Sequence, residues 1–383
     1  MVDFPIGRYA SYSVSDGYFR VKSCESFQSG KYMFELPQLW QHVIVWVSSH
    51  GVAPILSTFA WQDLGNPDEI AEAVVIAVLQ LSIISLIFRP LENLAPAERW
   101  ENRNLTRVDL QYTLIMLLGL FPLFSYLVLT PLSNYLGGSS VTEDSVLHIT
   151  HWLPWLEAHP LLRFMLYYLV YDFTYYWLHR TQHAIPWWWA MHSMHHSQRQ
   201  LSCWSNDRGC YLDGAVQSFI LAGVGIAMGV APGEFALLIL LSELIQNFSH
   251  TNVRIGFGRF FEKIFVDPKF HRLHHMQVDP NRPQLHNCNF GQVFSIWDTL
   301  FGTALFGEAV RPTGVCDPMV DADNERGLIA QQWETLKRFW GAFRRPAGWH
   351  PGDVSFGPDY EPIPSTHFEF STPIRSSEGA VAD

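Results

Sequence analysis

Six apolar stretches constrain this chain most, because a backbone entering a bilayer must satisfy every N–H and C=O within itself and so forms helices or a closed barrel. They lie near 39–60, 70–88, 108–131, 161–178, 214–231 and 234–248. The first four meet or approach the ~20 residues that a hydrocarbon core asks of a helix. Hydrophobic residues make up 48% of the chain and charged residues only 16%, a balance that suits a membrane protein. The last two stretches meet at Ala231-Pro232-Gly233, where proline removes a donor and glycine permits a tight turn. They read as a hairpin with both ends on one side, whether it crosses fully or dips in and returns. The expected fold class is an all-α integral membrane protein with four transmembrane helices, an apolar helical hairpin and a cytosolic histidine-rich cap.

Parity orients these elements. Two spans return the chain to the side of its N-terminus, and two more do so again. Arg89, Arg99, Arg103 and Arg107 flank the connection after the second span, and Arg254, Arg259, Lys263, Lys269 and Arg272 follow the hairpin. The opposite-side segments 61–69 and 132–160 contain no Lys or Arg, and only Arg163 falls near that face. Excess positive charge marks cytoplasmic loops, so the cap is expected to face the cytoplasm. The alternative is that 39–60 and 70–88 are buried helices of a soluble protein.

The chain divides into a cytosolic N-terminal segment (1–37), an N-terminal transmembrane region (38–159), a histidine-rich catalytic domain (160–305) and a cytosolic C-terminal segment (306–383). The last holds an amphipathic helix over 328–343 with Ile329, Trp333, Leu336, Trp340 and Phe343 on one face, suited to the membrane surface or to packing on the catalytic domain. A flexible tail is expected after Pro346. The five cysteines show neither CxxC spacing nor the density of a disulfide framework, and the start shows no basic signal-peptide region, so thiols in a reducing cytosol are expected. A net charge of -11 without a basic stripe argues against nucleic acid as a partner.

Chemistry is carried by three clusters: His179-Arg-Thr-Gln-His183, His192-Ser-Met-His195-His196 and His271-Arg-Leu-His274-His275. Eight imidazoles exceed what core carbonyls would satisfy, whereas two metal ions would engage them all. His179 and His183, four apart, share a helical face. In H-x-x-H-H the first two histidines share a face and the third, rotated by about 100°, serves a neighbouring ion. His250, returned by the hairpin to the same side, counts as a ninth ligand, and His286 is a weaker candidate. Asp172, Asp267, Asp213 and Gln246 are expected to hold the imidazoles from behind by accepting their second N–H. Trp187-Trp188-Trp189 suits either the headgroup level or plain packing.

An all-nitrogen shell is compatible with zinc, copper, nickel or iron. Zinc hydrolysis needs a general base, and no HExxH or comparable Glu adjoins a cluster; two irons could instead activate O₂ toward an unactivated C–H bond. No catalytic residue beyond the metal site is singled out. The rivals are a membrane zinc hydrolase on the same imidazoles and, less well suited, a metal transporter, whose ligands would line the spans. Gly223, Gly225 and Gly229 read as close helix packing rather than nucleotide binding.

Taken with their neighbours, the clusters read Asp172-Phe-x-x-Tyr-Trp-x-His-Arg-x-x-His183, Met191-His-x-x-His-His-Ser197 and Phe270-His-x-x-His-His275, followed by Asn289-Phe-Gly291 and Trp297-Asp-x-Leu-Phe-Gly-Thr303. Over about residues 160–305 this resembles the fatty acid hydroxylase/sterol desaturase superfamily of membrane-bound histidine-box oxygenases. The resemblance implies two iron ions held by His179, His183, His192, His195, His196, His250, His271, His274 and His275. It also implies O₂ as cosubstrate, and a lipid, such as a sterol or fatty acyl chain, that is hydroxylated or desaturated. Neither a haem motif nor a nucleotide fingerprint is present, so electrons are expected from an external donor such as a cytochrome b5-like protein, a ferredoxin or a reductase. Where many relatives read Arg-x-His-Pro, this chain reads Arg208-Gly-Cys210-Tyr211.

Overall fold

The computed structural model describes residues 35–61, 65–120, 149–230, 232–277, 287–309, 311–343 and 369–370. The second half of the expected 108–131 span, His286 and the expected flexible tail, apart from Glu369–Phe370, lie outside these residues. Helices dominate; the described strands are Glu98–Arg99 and Glu369–Phe370, paired antiparallel. Cys203, Cys210, Cys288 and Cys316 are buried and form no disulfide.

Two described helices, Pro67–Leu94 and Tyr211–Met228, are long and apolar enough to cross a membrane. Only 22% of the apolar window of each is buried within the protein, which separates them from core helices of a soluble fold. Leu86 is 75% exposed and Val78 53%, as a lipid-facing surface would be. The first of these helices starts where Asn66 accepts the Asp68 N–H at 3.0 Å, with Pro67 in its first turn. The stretch at 39–60 forms Glu35–Val47, a wider π turn at Ser48–Val52 and Ala53–Thr58. That at 161–178 falls within Pro160–Ala184, whose buried side includes Tyr167, Tyr171, Asp172 and Tyr175 and is accordingly more polar.

Prolines set the layout around the clusters. Helix Pro160–Ala184 carries the first cluster at its C-terminal end, and Ile185, forced extended ahead of Pro186 (φ -95°, ψ 120°), turns the chain into helix Pro186–His196 with the second. Helix Pro268–His274 carries the third and is capped by Asp267, which accepts the Phe270 N–H at 2.8 Å. Tyr211–Met228 and Pro232–Ser249 form the hairpin. Gly229 ends its first arm at φ +72°, and a Cβ on Gly225 would stand 2.8 Å from the Phe235 ring, so close packing applies at Gly225. Gly223 faces open space, a departure from the packing role expected of all three.

Buried acids tie the first candidate span to the histidine region. Glu92, at the far end of Pro67–Leu94, accepts the N–H groups of Cys203 (2.8 Å) and Asn252 (3.0 Å) and pairs with Arg103 at 2.7 Å. Glu98 pairs with Arg272 at 2.8 Å and Asp109 with Arg208 at 3.0 Å. Each such pair is desolvated, so removing one partner strands a charge. The C-terminal helix Leu328–Ala342 buries Gln331 and Thr335, packs Leu336 inward, and leaves Ile329, Trp333, Trp340 and the adjoining Phe343 exposed. Its anticipated apolar face is thus split between packing and surface.

Candidate metal centre

The structure brings the nine box and hairpin histidines together as two adjoining groups. One holds His179, His183, His192, His196 and His274; the other holds His195, His250, His271 and His275. Within each group one ring nitrogen per histidine lies within 4.8 Å of all the others. Imidazole nitrogens on one ion at roughly 2.1 Å stand at most about 4.2 Å apart, so each group has nearly the dimensions of a single coordination shell. The groups share a wall where the His196 and His275 rings stack with centroids 4.3 Å apart.

Each H-x-x-H-H cluster divides between the groups, but not as the spacing suggested. His192 and His196 go to one group and His195 to the other; His271 and His275 go together and His274 apart. At about 100° per residue, positions i and i+4 differ by about 40° and i and i+3 by about 60°. The outer pair is therefore the better aligned, and the middle histidine crosses to the neighbouring group.

Second hydrogen bonds fix which nitrogen faces inward. Nδ1 of His179 donates to the Phe290 carbonyl at 2.8 Å, that of His195 to Arg208 at 2.9 Å, that of His250 to Gln246 at 2.7 Å and that of His274 to Cys288 at 2.7 Å. A carbonyl only accepts, so Nδ1 carries the proton and Nε2 presents a lone pair. Nε2 of His195 and His250 nevertheless face each other at 3.2 Å. Two neutral imidazoles so protonated have no hydrogen to share there, and their lone pairs repel unless a cation lies between them. Nε2 of His179, His192 and His196 is buried without a hydrogen-bond partner. Burial first, then the charge of neighbouring imidazoles, pushes His179, His195, His196, His271 and His275 well below the usual histidine range. Burial likewise lowers His250 to about 4. These rings are neutral near pH 7, the form that binds metal.

The four residues expected behind the imidazoles divide. Asp213 accepts from His192 Nδ1 at 3.2 Å on one oxygen, and from Trp188 Nε1 (2.6 Å) and Gln182 Nε2 (2.8 Å) on the other. Gln246 meets His250 through its backbone carbonyl, while its side chain accepts from the Tyr175 hydroxyl at 3.1 Å. Asp172 and Asp267 hold backbone instead of imidazole. Asp172 accepts from the backbone of Val293 and Phe294 and from the Trp297 indole N–H, and Asp267 from Phe257 N and Phe270 N, so loop and helix-start donors and an indole, not imidazoles, occupy these carboxylates. Sequence reasoning missed the carbonyls of Phe290, Cys288 and Arg208, and the loop that places the first two. Asn289 sits in that loop at φ +59°, bridging Phe270 and Leu305, and Asp298 accepts the Phe290 and Gly291 N–H groups at 2.8 and 2.7 Å. The Asn289-Phe-Gly291 and Trp297-Asp298 motifs were its signal.

Trp188 and Trp189 are buried, with the Trp189 ring 4.9 Å from His183, which favours packing for these two. His42 and His50 bond carbonyls of their own helix, outside both groups. A cavity between the hairpin and the helix Pro160–Ala184 reaches His192 of one group and His195 of the other.

This arrangement defines the class, a helical protein with a buried polyhistidine centre, and comparison with known proteins shows what that region resembles. Residues 164–303 match the fatty acid hydroxylase family model. It is 29% identical over 197 residues to human alkylglycerol monooxygenase, covering 49% of this chain and 42% of that protein. An ornithine lipid hydroxylase of Rhizobium tropici is 26% identical over 265 residues, 68% of this chain and 75% of that protein. A Delta(7)-sterol 5(6)-desaturase of Aspergillus fumigatus is 26% identical over 208 residues, 48% and 59% of the two. The chain thus spans less than half the length of the alkylglycerol monooxygenases it matches. No solved structure matches the chain significantly.

Proposed function

We propose that this chain is a membrane-bound, iron-dependent oxidoreductase that uses O₂ and externally supplied electrons to hydroxylate or desaturate a lipid. The observation carrying this reading is the pair of adjoining all-nitrogen groups, their lone pairs turned inward, beside a cavity that touches both. The relatives act, by their names, on an alkylglycerol, an ornithine lipid and a sterol, which supports a lipid as substrate. His179, His183, His192, His196 and His274 would hold one iron and His195, His250, His271 and His275 the other. Bound there, the irons supply the reduction of O₂ that makes a C–H bond reactive.

In hydroxylation RH, O₂, two electrons and two protons give ROH and water; in desaturation the same inputs give an alkene and two waters. The chain's own contribution is positional. Asp213 and the carbonyls of Arg208, Gln246, Cys288 and Phe290 hold Nδ1 protons, keeping Nε2 basic and aimed inward. Burial of the rings excludes water from the centre. The electron donor is external, a cytochrome b5-like protein, a ferredoxin or a reductase.

Four spans plus the hairpin, with the centre on the cytoplasmic side, complete the proposal. Both candidate spans meet the histidine region by one end, Pro67–Leu94 through Glu92 and Tyr211–Met228 through Asp213, as a cap on one face requires. A lipid screen with reductase and ¹⁸O₂ tests the function: labelled alcohol, or alkene formed only with O₂, is expected, and turnover without O₂ would overturn it in favour of a zinc hydrolase.

A further inference from the structure

The C-terminal helix Leu328–Ala342 is inverted for a helix that faces water. At about 100° per residue, Ile329, Trp333, Trp340 and the adjoining Phe343 fall within an arc of about 80°. They are 83%, 63%, 63% and 56% exposed. Gln331, Thr335 and Arg338 fall on the opposite side, where Gln331 and Thr335 are fully buried. That polar side is committed to the protein. Gln331 Nε2 donates to the Asp323 carbonyl at 2.7 Å, the Thr335 hydroxyl to Met194 Sδ at 3.2 Å and Arg338 to the Asp323 carboxylate at 2.6 Å. Rolling the helix to hide its indoles would strand these groups, so the apolar side stays outward.

Two observations say what covers it. The stripe runs on into the outer surface of a candidate span: Leu336, in the middle of the same arc, packs on the cluster that also takes Val216 and Ile220 from Tyr211–Met228. That span leaves Leu212 41% and Phe219 49% exposed. Gln332 joins the two helices directly by accepting the Tyr211 N–H at 2.9 Å. Trp187, the half-buried member of its triplet, stacks on Phe343 with ring centroids 6.0 Å apart. Charge is the second observation. Residues Lys337-Arg-Phe-Trp-Gly-Ala-Phe-Arg-Arg345 hold four basic residues and no acid, in a chain of net charge -11. An apolar aromatic stripe bordered by basic residues, at the end of a span, suits acyl chains on one side and anionic headgroups on the other.

Resting on the membrane location in the reading above, we propose that Leu328–Ala342 lies in the plane of the membrane surface, its stripe sunk into the leaflet on the side of the histidine centre. The helix then fixes more than attachment. Gln332 Nε2 also donates to the Gly209 carbonyl at 2.7 Å, so one side chain holds both ends of Gly209-Cys210-Tyr211, part of the wall of the cavity that reaches His192 and His195. Seating the helix holds that wall at headgroup level.

The test is the lipid and water contact of single bimane labels on the full, metal-loaded chain in nanodiscs of phosphatidylcholine and phosphatidylserine. Cys24→Ser leaves only the four buried cysteines. Labels go on Ile329→Cys and Trp340→Cys in the stripe, on Glu334→Cys across the helix, and on Val78→Cys in the candidate span Pro67–Leu94. A nitroxide borne by lipid should quench the labels at 329 and 340 at least about threefold more than that at 334, and aqueous iodide should do the reverse, as a stripe ~5–10 Å into the headgroup boundary requires. Where Trp340→Cys does not fold, Ile329→Cys carries the test. Stripe labels as open to iodide as the one at 334 overturn the proposal. So do stripe labels shielded from both quenchers, as under a second copy or another protein. The label at 78 separates the failures: lipid contact there, with water at 329 and 340, sinks this inference alone, whereas iodide quenching at 78 as well sinks the membrane reading with it.

Discussion

Replacing Asp213 by asparagine should cost His192 its inward lone pair. Three donors converge on this carboxylate: Trp188 and Gln182 on Oδ1 at 2.6 and 2.8 Å, and His192 Nδ1 on Oδ2 at 3.2 Å. An amide has one acceptor oxygen, and the two shorter bonds claim it. Its NH₂ group then faces His192 Nδ1, which must accept and so give up its proton to Nε2, the atom that points into the five-histidine group. Losing such an orienting partner typically lowers metal affinity by about 10- to 100-fold, or about 1.4–2.8 kcal/mol. Asp213→Ala should be worse for folding, since it strands three buried donors at about 1–3 kcal/mol each. The assay is competitive metal titration of purified protein against a chelator of known affinity, with a thermal melt to check folding. Unchanged affinity at one of two equivalents of metal is not enough; unchanged affinity at both, in a folded Asp213→Asn variant, would refute the tautomer argument.

Further predictions concern the scaffold. A Cβ on Gly291 would lie 2.7 Å from the Phe294 carbonyl oxygen and 2.9 Å from Asp298 Oδ2, so Gly291→Ala should displace the loop that holds His179, costing about 1–3 kcal/mol in stability and lowering bound metal; an unchanged melt and metal content would count against that role. Glu98→Ala strands Arg272, which sits between His271 and His274, and should destabilise by about 3–5 kcal/mol in thermal or denaturant unfolding, whereas a loss below 1 kcal/mol would mean the pair is not desolvated as described. Acid should destabilise the metal-free protein. With His250 lowered from 6.5 to about 4, the unfolded chain takes up a proton first as pH falls, so stability present above pH 6.5 drops down to about pH 4. That residue alone contributes roughly 3 kcal/mol, and His179, His195, His196, His271 and His275 act in the same direction, so a melting temperature flat between pH 7 and 5 would contradict it.

What the sequence made legible follows from where the chemistry resides. Metal-binding chemistry needs particular side chains at helical spacings, so the residues that form the two groups stood out before any coordinates. Their division between the groups did not, because helical angle decides it and the 60° and 40° offsets of i+3 and i+4 are close. The groups holding the imidazoles from behind were mostly hidden. Every residue has a carbonyl, so nothing in the letters of Arg208, Cys288 or Phe290 marks theirs as chosen. Asp213 was legible as an acid near a cluster, but Asp172 and Asp267 looked the same and serve backbone N–H groups. The apolar stretches at 70–88 and 214–231 correspond to the two candidate spans. The one at 161–178 became a helix that buries several tyrosines and an aspartate, a composition that hydropathy alone blurs.

Metal identity, stoichiometry and coupling, measured on protein purified anaerobically in detergent, test the central claim most directly. Two iron ions per chain with the Mössbauer signature of a coupled pair are the expected result, one for each histidine group. Zinc alone, or iron bound singly without coupling, would contradict it.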